Sequence, residues 1–243
     1  MSVSAFEVEV SVLVVSPGFR SPFSRSNERI LLHGVMSRLV NDLIYHGYLR
    51  SDEVIDAMNA IDRADFLSPI FREQAEVEMP LPIGHGQTVT PPRTTAIMLE
   101  LLDTNKGHCV LDAGTGSGWT AALLGHIVGD GGKVITIERI GELHDMANIN
   151  IEKYGYITNK RVESILGNAA EGYEAGAPFD RILVSAMASS VPEVFQRQLK
   201  VGGKMVIPIH NSICYIEKRG EDDFYKEEFD GFTFVPFVRR SAF

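Results

Sequence analysis

The residues best placed to do chemistry lie in the run Val110-Leu-Asp-Ala-Gly-Thr-Gly-Ser-Gly-Trp119. An apolar stretch of strand type runs into Gly114, Gly116 and Gly118, and a helical pattern follows. Glycines there allow a tight turn and bring backbone close to a ligand. In open α/β sheets, ligands sit beyond the carboxyl ends of the strands. The spacing is GxGxG, not the GxGxxG of a dinucleotide site, and Asp112 precedes it. A carboxylate at that point suits a ligand with positive charge and repels a pyrophosphate. The next strand pattern ends at Glu138, about 20 positions on, where an acid accepts hydrogen bonds from ribose hydroxyls.

Together Asp112, the three glycines and Glu138 read as a site for S-adenosylmethionine, a nucleoside carrying a sulfonium and an ammonium. The alternative is three turn glycines and two solvated carboxylates. A second unusual segment, Met79-Pro-Leu-Pro-Ile-Gly-His-Gly-Gln-Thr-Val-Thr90 followed by Pro91 and Pro92, cannot be a regular helix or a central strand. It is expected to be a loop, packed down by Leu81, Ile83 and Val89.

These segments need positioning elements, and the chain supplies them. From Gly107 strand and helix patterns alternate: strands at Cys109–Ala113, Lys133–Glu138, 161–166, 180–185 and 204–209, and helices at Trp119–Val128, 140–154 and 191–199. This rhythm predicts an α/β fold, a doubly wound and mostly parallel sheet covered on both faces. Residues 213–219 and 232–238 are expected to finish the sheet as antiparallel strands. Upstream, Leu39, Val40, Leu43 and Ile44 mark one helix ended by Gly47, and Val54, Ile55, Met58 and Ile61 a second capped by Ser51. A further helix is expected from about 93 to 102. Residues 1–35 differ: 6–12 alternate like a short strand and 16–27 read as a turn-rich linker. The expected organisation is an N-terminal extension of unknown role over 1–35 and a catalytic domain with a helical cap over 36–243.

Pro80-Leu-Pro-Ile-Gly-His-Gly-Gln-Thr-Val-Thr90 resembles the PLPIGxGQTIS segment of the protein-L-isoaspartate O-methyltransferases. The glycine loop, Ile137-Glu-Arg, Ala177-Pro-Phe-Asp-Arg-Ile and Gln198-Leu-Lys-x-Gly-Gly-Lys-Met-Val-Ile-Pro follow in that family's order. The resemblance spans roughly 36–238. The glycine loop is common to many methyltransferases, whereas the PLPIGxGQT segment is far more specific. What the resemblance implies is a Rossmann-like class I methyltransferase that moves a methyl group from S-adenosylmethionine to the free carboxylate of L-isoaspartyl residues in damaged proteins or peptides. In that family the ester product collapses to a succinimide, which reopens partly to normal aspartate.

By the same resemblance, Thr90 stands where the family carries a serine hydroxyl beside the reacting carboxylate, although Thr also suits a helix-capping role there. Gln87, Thr88 and Val89 would line the cofactor with their backbone, Glu138 would hold the ribose, and Asn168 and Ala169 would flank the adenine where the family usually has Asp-Gly. Departures fall on the acceptor side: Ser185-Ala-Met-Ala-Ser-Ser replaces an Ala-rich stretch, and His210-Asn211 stands where Gly is usual. His210 is read as a loop residue, because a carboxylate acceptor needs no base.

Composition excludes several other classes. A net charge of -9 argues against nucleic-acid binding, and no NPPY-type base-holding motif is present. Cys109 and Cys214 form no CxxC, and the seven histidines form no metal-ligand spacing, so neither a disulfide nor a metal is expected. The apolar run 10–15 follows two glutamates and is too short to span a bilayer, so the expectation is a cytoplasmic protein whose partners are isoaspartyl-containing chains, with no membrane or nucleic acid. The competing readings are a carboxyl methyltransferase with a dedicated peptide partner and a non-catalytic cofactor-binding homologue.

Overall fold

The computed structural model describes residues 36–236. The strand and linker expected within 1–35, and residues 237–243, lie outside the described residues. Helix α1 (Arg38–Tyr45) begins at Ser37, whose hydroxyl accepts from Val40 N at 3.2 Å. Helix α2 (Asp52–Ala60) follows. Ser51 stands at its N-cap, but its side chain does not cap it. Instead Glu100 Oε1 accepts from Ser51 Oγ and Ser51 N, both at 3.0 Å, and from Arg50 N at 2.8 Å. A carboxylate is the stronger acceptor, so it draws the hydroxyl away from the helix end.

The segment expected as a loop is a short antiparallel hairpin, β1 (Leu81–Gly84) and β2 (Gln87–Val89), standing apart from the main sheet. Its prolines keep it out of the larger ladder but tolerate a two-stranded edge pairing. Helix α3 (Pro92–Leu102) then leads into the alternating region: β3 (Cys109–Ala113), α4 (Trp119–Val128), β4 (Lys133–Glu138), α5 (Gly141–Glu152), β5 (Val162–Leu166), β6 (Phe179–Val184), α6 (Glu193–Gln198), β7 (Leu199–Ile209), β8 (Ser212–Lys218) and β9 (Phe224–Asp230). The sheet order is β5-β4-β3-β6-β7-β8-β9, parallel through β7 and antiparallel beyond it.

The sheet separates two apolar cores. One joins α1 to α5 with Val110, Val134, Leu183 and Val206, and the other joins α6 with Leu111, Ile135, Ile182 and Met205. Residues alternate between the two faces along each strand, as the period of two requires.

Two expectations at the C-terminal side are corrected. Among the described residues the last antiparallel strand is β9, and 232–236, the described part of the stretch expected over 232–238, adds no strand to the sheet. Residues 224–230 are mostly exposed and charged on this edge strand, so no apolar alternation betrays them. Phe232 and Phe234 are buried core plugs instead, and the segment then crosses to bridge Met187 at Pro236. The helix expected over 191–199 is shorter, because Pro192 forms its N-cap and Leu199 already belongs to β7.

Glu100→Ala leaves three donors at the α2 entry without their acceptor. It should lower folding stability by about 1–3 kcal/mol, measured by urea unfolding.

Candidate functional site

The site is built where β3 becomes α4. Gly114, Gly116 and Gly118 have φ of 103°, 56° and 94°, a left-handed region that other residues rarely occupy. The loop is tied to the end of β4. Gly114 N and Thr115 N donate to Ile137 O at 3.0 and 3.3 Å, and Gly116 N donates to Glu138 Oε2 at 2.9 Å. The other oxygen of Glu138 accepts from Arg139 N at 2.9 Å and Ile140 N at 3.0 Å. One buried carboxylate therefore organises both the glycine loop and the turn into α5.

Behind the loop runs a polar chain inside the sheet. Thr136 Oγ1 donates to Asp112 Oδ2 at 2.8 Å, and Thr115 Oγ1 meets Thr136 Oγ1 at 2.6 Å. Asp112 is fully buried, and its Oδ1 has no partner among the described residues. Burial pushes its pKa up to about 7, the Thr136 hydrogen bond working against this and the charge of Glu138 adding to it.

A cleft opens along the carboxyl edge of the sheet, in two lobes that share Gln87, Gly114, Glu138 and Ala186. The larger, of about 530 Å³, is walled by Glu138, Ile140, Asn168 and Ala169, with His85 and Gln87 of the hairpin opposite. The narrower, of about 60 Å³, lies between Thr88, Val89 and Thr90 on the hairpin side and Gly116 and Ser185 on the sheet side. Hairpin and loop are in close contact, since a Cβ on Gly116 would come within 3.3 Å of Ile83 Cδ1.

The structure thus brings Gln87, Thr88, Val89, Thr90, Gly114, Gly116, Glu138, Asn168 and Ala169 to one cleft. Two residues expected to touch the cofactor are placed elsewhere. Asp112 points into the sheet beneath the loop and lines neither lobe. Gly118 faces α5, where a Cβ would meet Ile151 Cγ1 at 2.9 Å, so its smallness serves helix packing. The amide oxygen of Asn168 accepts from Ala170 N at 3.1 Å and caps the short turn Ala169–Glu171. Thr90 is not a helix cap, since Pro91 holds that position.

Sequence reasoning missed Thr115, Thr136 and Arg63. Asp112 and Thr136 are register partners in neighbouring buried strands, and a polar residue at matching points of two apolar runs was the available signal. Arg63 is 3 % exposed and donates to backbone carbonyls beside the hairpin; nothing in its sequence surroundings marks it. Among the described residues no group of three or more His, Cys, Asp or Glu could hold a metal ion, and no helix is long and apolar enough to cross a membrane.

A parallel core flanked by helices, a glycine loop at the end of β3 and an acid at the end of β4 define a Rossmann-like class I methyltransferase fold. The family model described as Protein-L-isoaspartate(D-aspartate) O-methyltransferase matches residues 35–242, and the chain belongs to this family. A protein-L-isoaspartate O-methyltransferase of Methanopyrus kandleri is 43 % identical over 210 residues, covering 85 % of this chain and 92 % of that one. That of Staphylothermus marinus is 40 % identical, covering 83 % and 92 %. Among solved structures, a Plasmodium falciparum protein described as a protein-L-isoaspartate O-methyltransferase in complex with S-adenosyl-L-homocysteine shares the fold, with a TM-score of 0.74, 24 % identity and coverage of 83 % and 97 %. A second protein-L-isoaspartate O-methyltransferase gives 0.72 at 26 % identity, covering 82 % of this chain and 64 % of that one.

The state of Asp112 has a testable signature. Folding favours its protonated form, so its contribution to stability is full below the unfolded carboxyl pKa of about 3.9 and is lost as pH rises through about 7. Asp112→Asn should remove this loss. In urea unfolding of the unliganded protein, stability of the variant relative to wild type should climb between about pH 4 and pH 7 and then level off; a flat difference would mean that Asp112 ionises as an ordinary carboxylate.

Proposed function

We propose that the protein transfers a methyl group from S-adenosylmethionine to the free carboxylate of L-isoaspartyl residues in damaged proteins and peptides. The observation that carries this reading is the cleft itself: in a chain of this family, the hairpin with Thr90 lies over the glycine loop and joins a nucleoside-sized lobe to a narrow one.

The residues present fit the cofactor. Glu138 retains acceptor capacity for ribose hydroxyls beyond its three backbone donors. Gly114 and Gly116 leave backbone exposed where a Cβ would stand. The unpartnered Oδ1 of Asp112 puts acceptor character beneath the loop. Ile140 and Ala169 give the larger lobe apolar wall for a base, and Asn168 gives it a polar edge. When bound, the cofactor supplies an electrophilic methyl on a positively charged sulfur.

The acceptor is an ordinary carboxylate, ionised at neutral pH with a pKa near 4, so no general base is required. The chain's task is alignment, for which an advantage of roughly 7–11 kcal/mol is available. Among the described residues the narrow lobe is lined by the hydroxyl residues Thr88, Thr90 and Ser185, by Glu138 where it meets the larger lobe, and by no Lys or Arg. Neutral donors orient a carboxylate without forming an ion pair that would quench its nucleophilicity. The new carbon–oxygen bond forms as the carbon–sulfur bond breaks, giving a methyl ester and S-adenosylhomocysteine with no proton to move. The same proposal puts the enzyme in the cytoplasm, a reading supported by two free cysteines.

With labelled cofactor, an isoaspartyl peptide should be methylated and its aspartyl twin should not. Labelling of neither, with S-adenosylhomocysteine still bound, would leave a binding protein without this activity. Thr90→Val should lower kcat by about 10-fold or more while the Kd for S-adenosylhomocysteine stays near wild type, since one charge-orienting hydrogen bond is worth a few kcal/mol at most. Steady-state kinetics with calorimetry checks both halves, and unchanged kcat would remove Thr90 from the mechanism.

A further inference from the structure

We propose that Arg63 is a positioning residue for methyl transfer, acting on the acceptor side of the cleft through the backbone of the hairpin that carries Thr90. Resting on the function proposed above, this adds a residue that touches neither substrate nor cofactor.

Arg63 lies in the 3-10 turn Arg63–Phe66 that follows α2. Its guanidinium is buried, and among the described residues its hydrogen bonds go to backbone carbonyls and to no carboxylate. Nη1 donates to Ala75 O at 2.9 Å and Val77 O at 3.2 Å. Nη2 donates to Met79 O and Thr90 O, both at 3.1 Å. The two terminal nitrogens carry four N–H groups, so each has a carbonyl. Met79 stands just before β1 and Thr90 just after β2, so one nitrogen grips both legs of the hairpin at its base.

That grip is what the hairpin needs. A two-stranded hairpin is marginal by itself, and β1 and β2 make no ladder with the main sheet. At the far end Gly84, His85 and Gly86 all have positive φ, of 96°, 53° and 69°, and a Cβ on either glycine would meet nothing within 4 Å. Among the described residues nothing packs against these two tip glycines, whereas the base is clamped. The Trp119 ring, at the first turn of α4, lies 5.3 Å from the Arg63 guanidinium carbon. The clamp thus references the hairpin to the helix that begins at the glycine loop. With the Thr90 carbonyl turned toward Arg63, the residue itself lines the narrow lobe.

The same placement answers an electrostatic problem. The acceptor is an anion, yet none of the described residues in the narrow lobe's wall is a cation, and Glu138 stands among them. Arg63 puts a positive charge behind that wall while spending its terminal donors on carbonyls, so the carboxylate feels an attractive potential without a direct ion pair. Burial lowers the Arg63 pKa to about 10, the nearby Glu78 charge offsetting part of this, so the group stays charged at neutral pH. Lysine keeps the charge, but its three tetrahedral donors cannot reproduce a planar fork reaching four carbonyls.

The test uses Arg63→Lys and Arg63→Met in the full chain, assayed well below their thermal midpoints with an isoaspartyl peptide at saturating cofactor. Displacing Thr90 by a fraction of an ångström to an ångström should cost up to about 10²-fold in kcat/KM for the peptide, with Arg63→Met at least as impaired as Arg63→Lys. The Kd for S-adenosylhomocysteine should stay within about 3-fold of wild type, under 1 kcal/mol. A purely structural role would lower only the thermal midpoint. The inference is overturned if folded variants keep wild-type kcat/KM, if cofactor affinity falls in step with activity, or if neither variant folds. A wild-type protein inactive on the peptide would overturn the proposed function as well, and this control separates the two failures.

Discussion

Everything in the cleft depends on how the chain turns from β3 into α4. Between Ala113 and Trp119 the backbone must leave a buried strand, reverse and start a helix, and three of the five residues take left-handed φ to do so. A turn this tight needs external anchors, and Glu138 supplies the main one by accepting from Gly116 N on one side and from Arg139 N and Ile140 N on the other. The same carboxylate stands in the wall shared by both lobes. Holding the loop and, in the function proposed above, meeting the nucleoside both fall to one side chain. Ile83 then seats the hairpin on the loop at Gly116, so the geometry of the turn passes directly to the acceptor side.

The polar chain Thr115–Thr136–Asp112 is the less obvious half of this arrangement. A fully buried carboxyl with an unpartnered oxygen is costly in an empty apolar setting. It becomes favourable where a cationic ligand rests above, because a nearby positive charge restores the ionised form. Asp112 itself lies beneath the loop and lines neither lobe. On the acceptor side of the proposed reaction the carboxylate must keep its charge and remain reactive, and the narrow lobe offers it the hydroxyls of Thr88, Thr90 and Ser185 while the buried Arg63 is turned toward carbonyls.

Much of the fold was legible because buried parallel strands are apolar runs. Cys109–Ala113 and Lys133–Glu138, like the helix Trp119–Val128 between them, have the bounds that apolar patterning predicts. The glycine loop and Glu138 were legible for the same local reason. What escaped was set by tertiary context. β9 is an edge strand whose residues face solvent, so its sequence carries no core signal. The hairpin pairs only with itself, and its prolines hide it. The inward turn of Asp112 depends on Thr136 in the next strand, and the packing role of Gly118 depends on Ile151. The carbonyls around Arg63 come from residues 75–90, brought together only by folding, and no local pattern encodes such a cage.

The proposed function requires a sulfonium nucleoside across the carboxyl end of β3, with its amino-acid part beneath the hairpin. A crystal structure with S-adenosylhomocysteine tests it most directly. The nucleoside should occupy the larger lobe, its ribose on Glu138 and its base beside Asn168 and Ala169, with the sulfur toward the lobe that Thr90 lines. A ligand seated elsewhere, or one whose sulfur turns away from the hairpin, would contradict it.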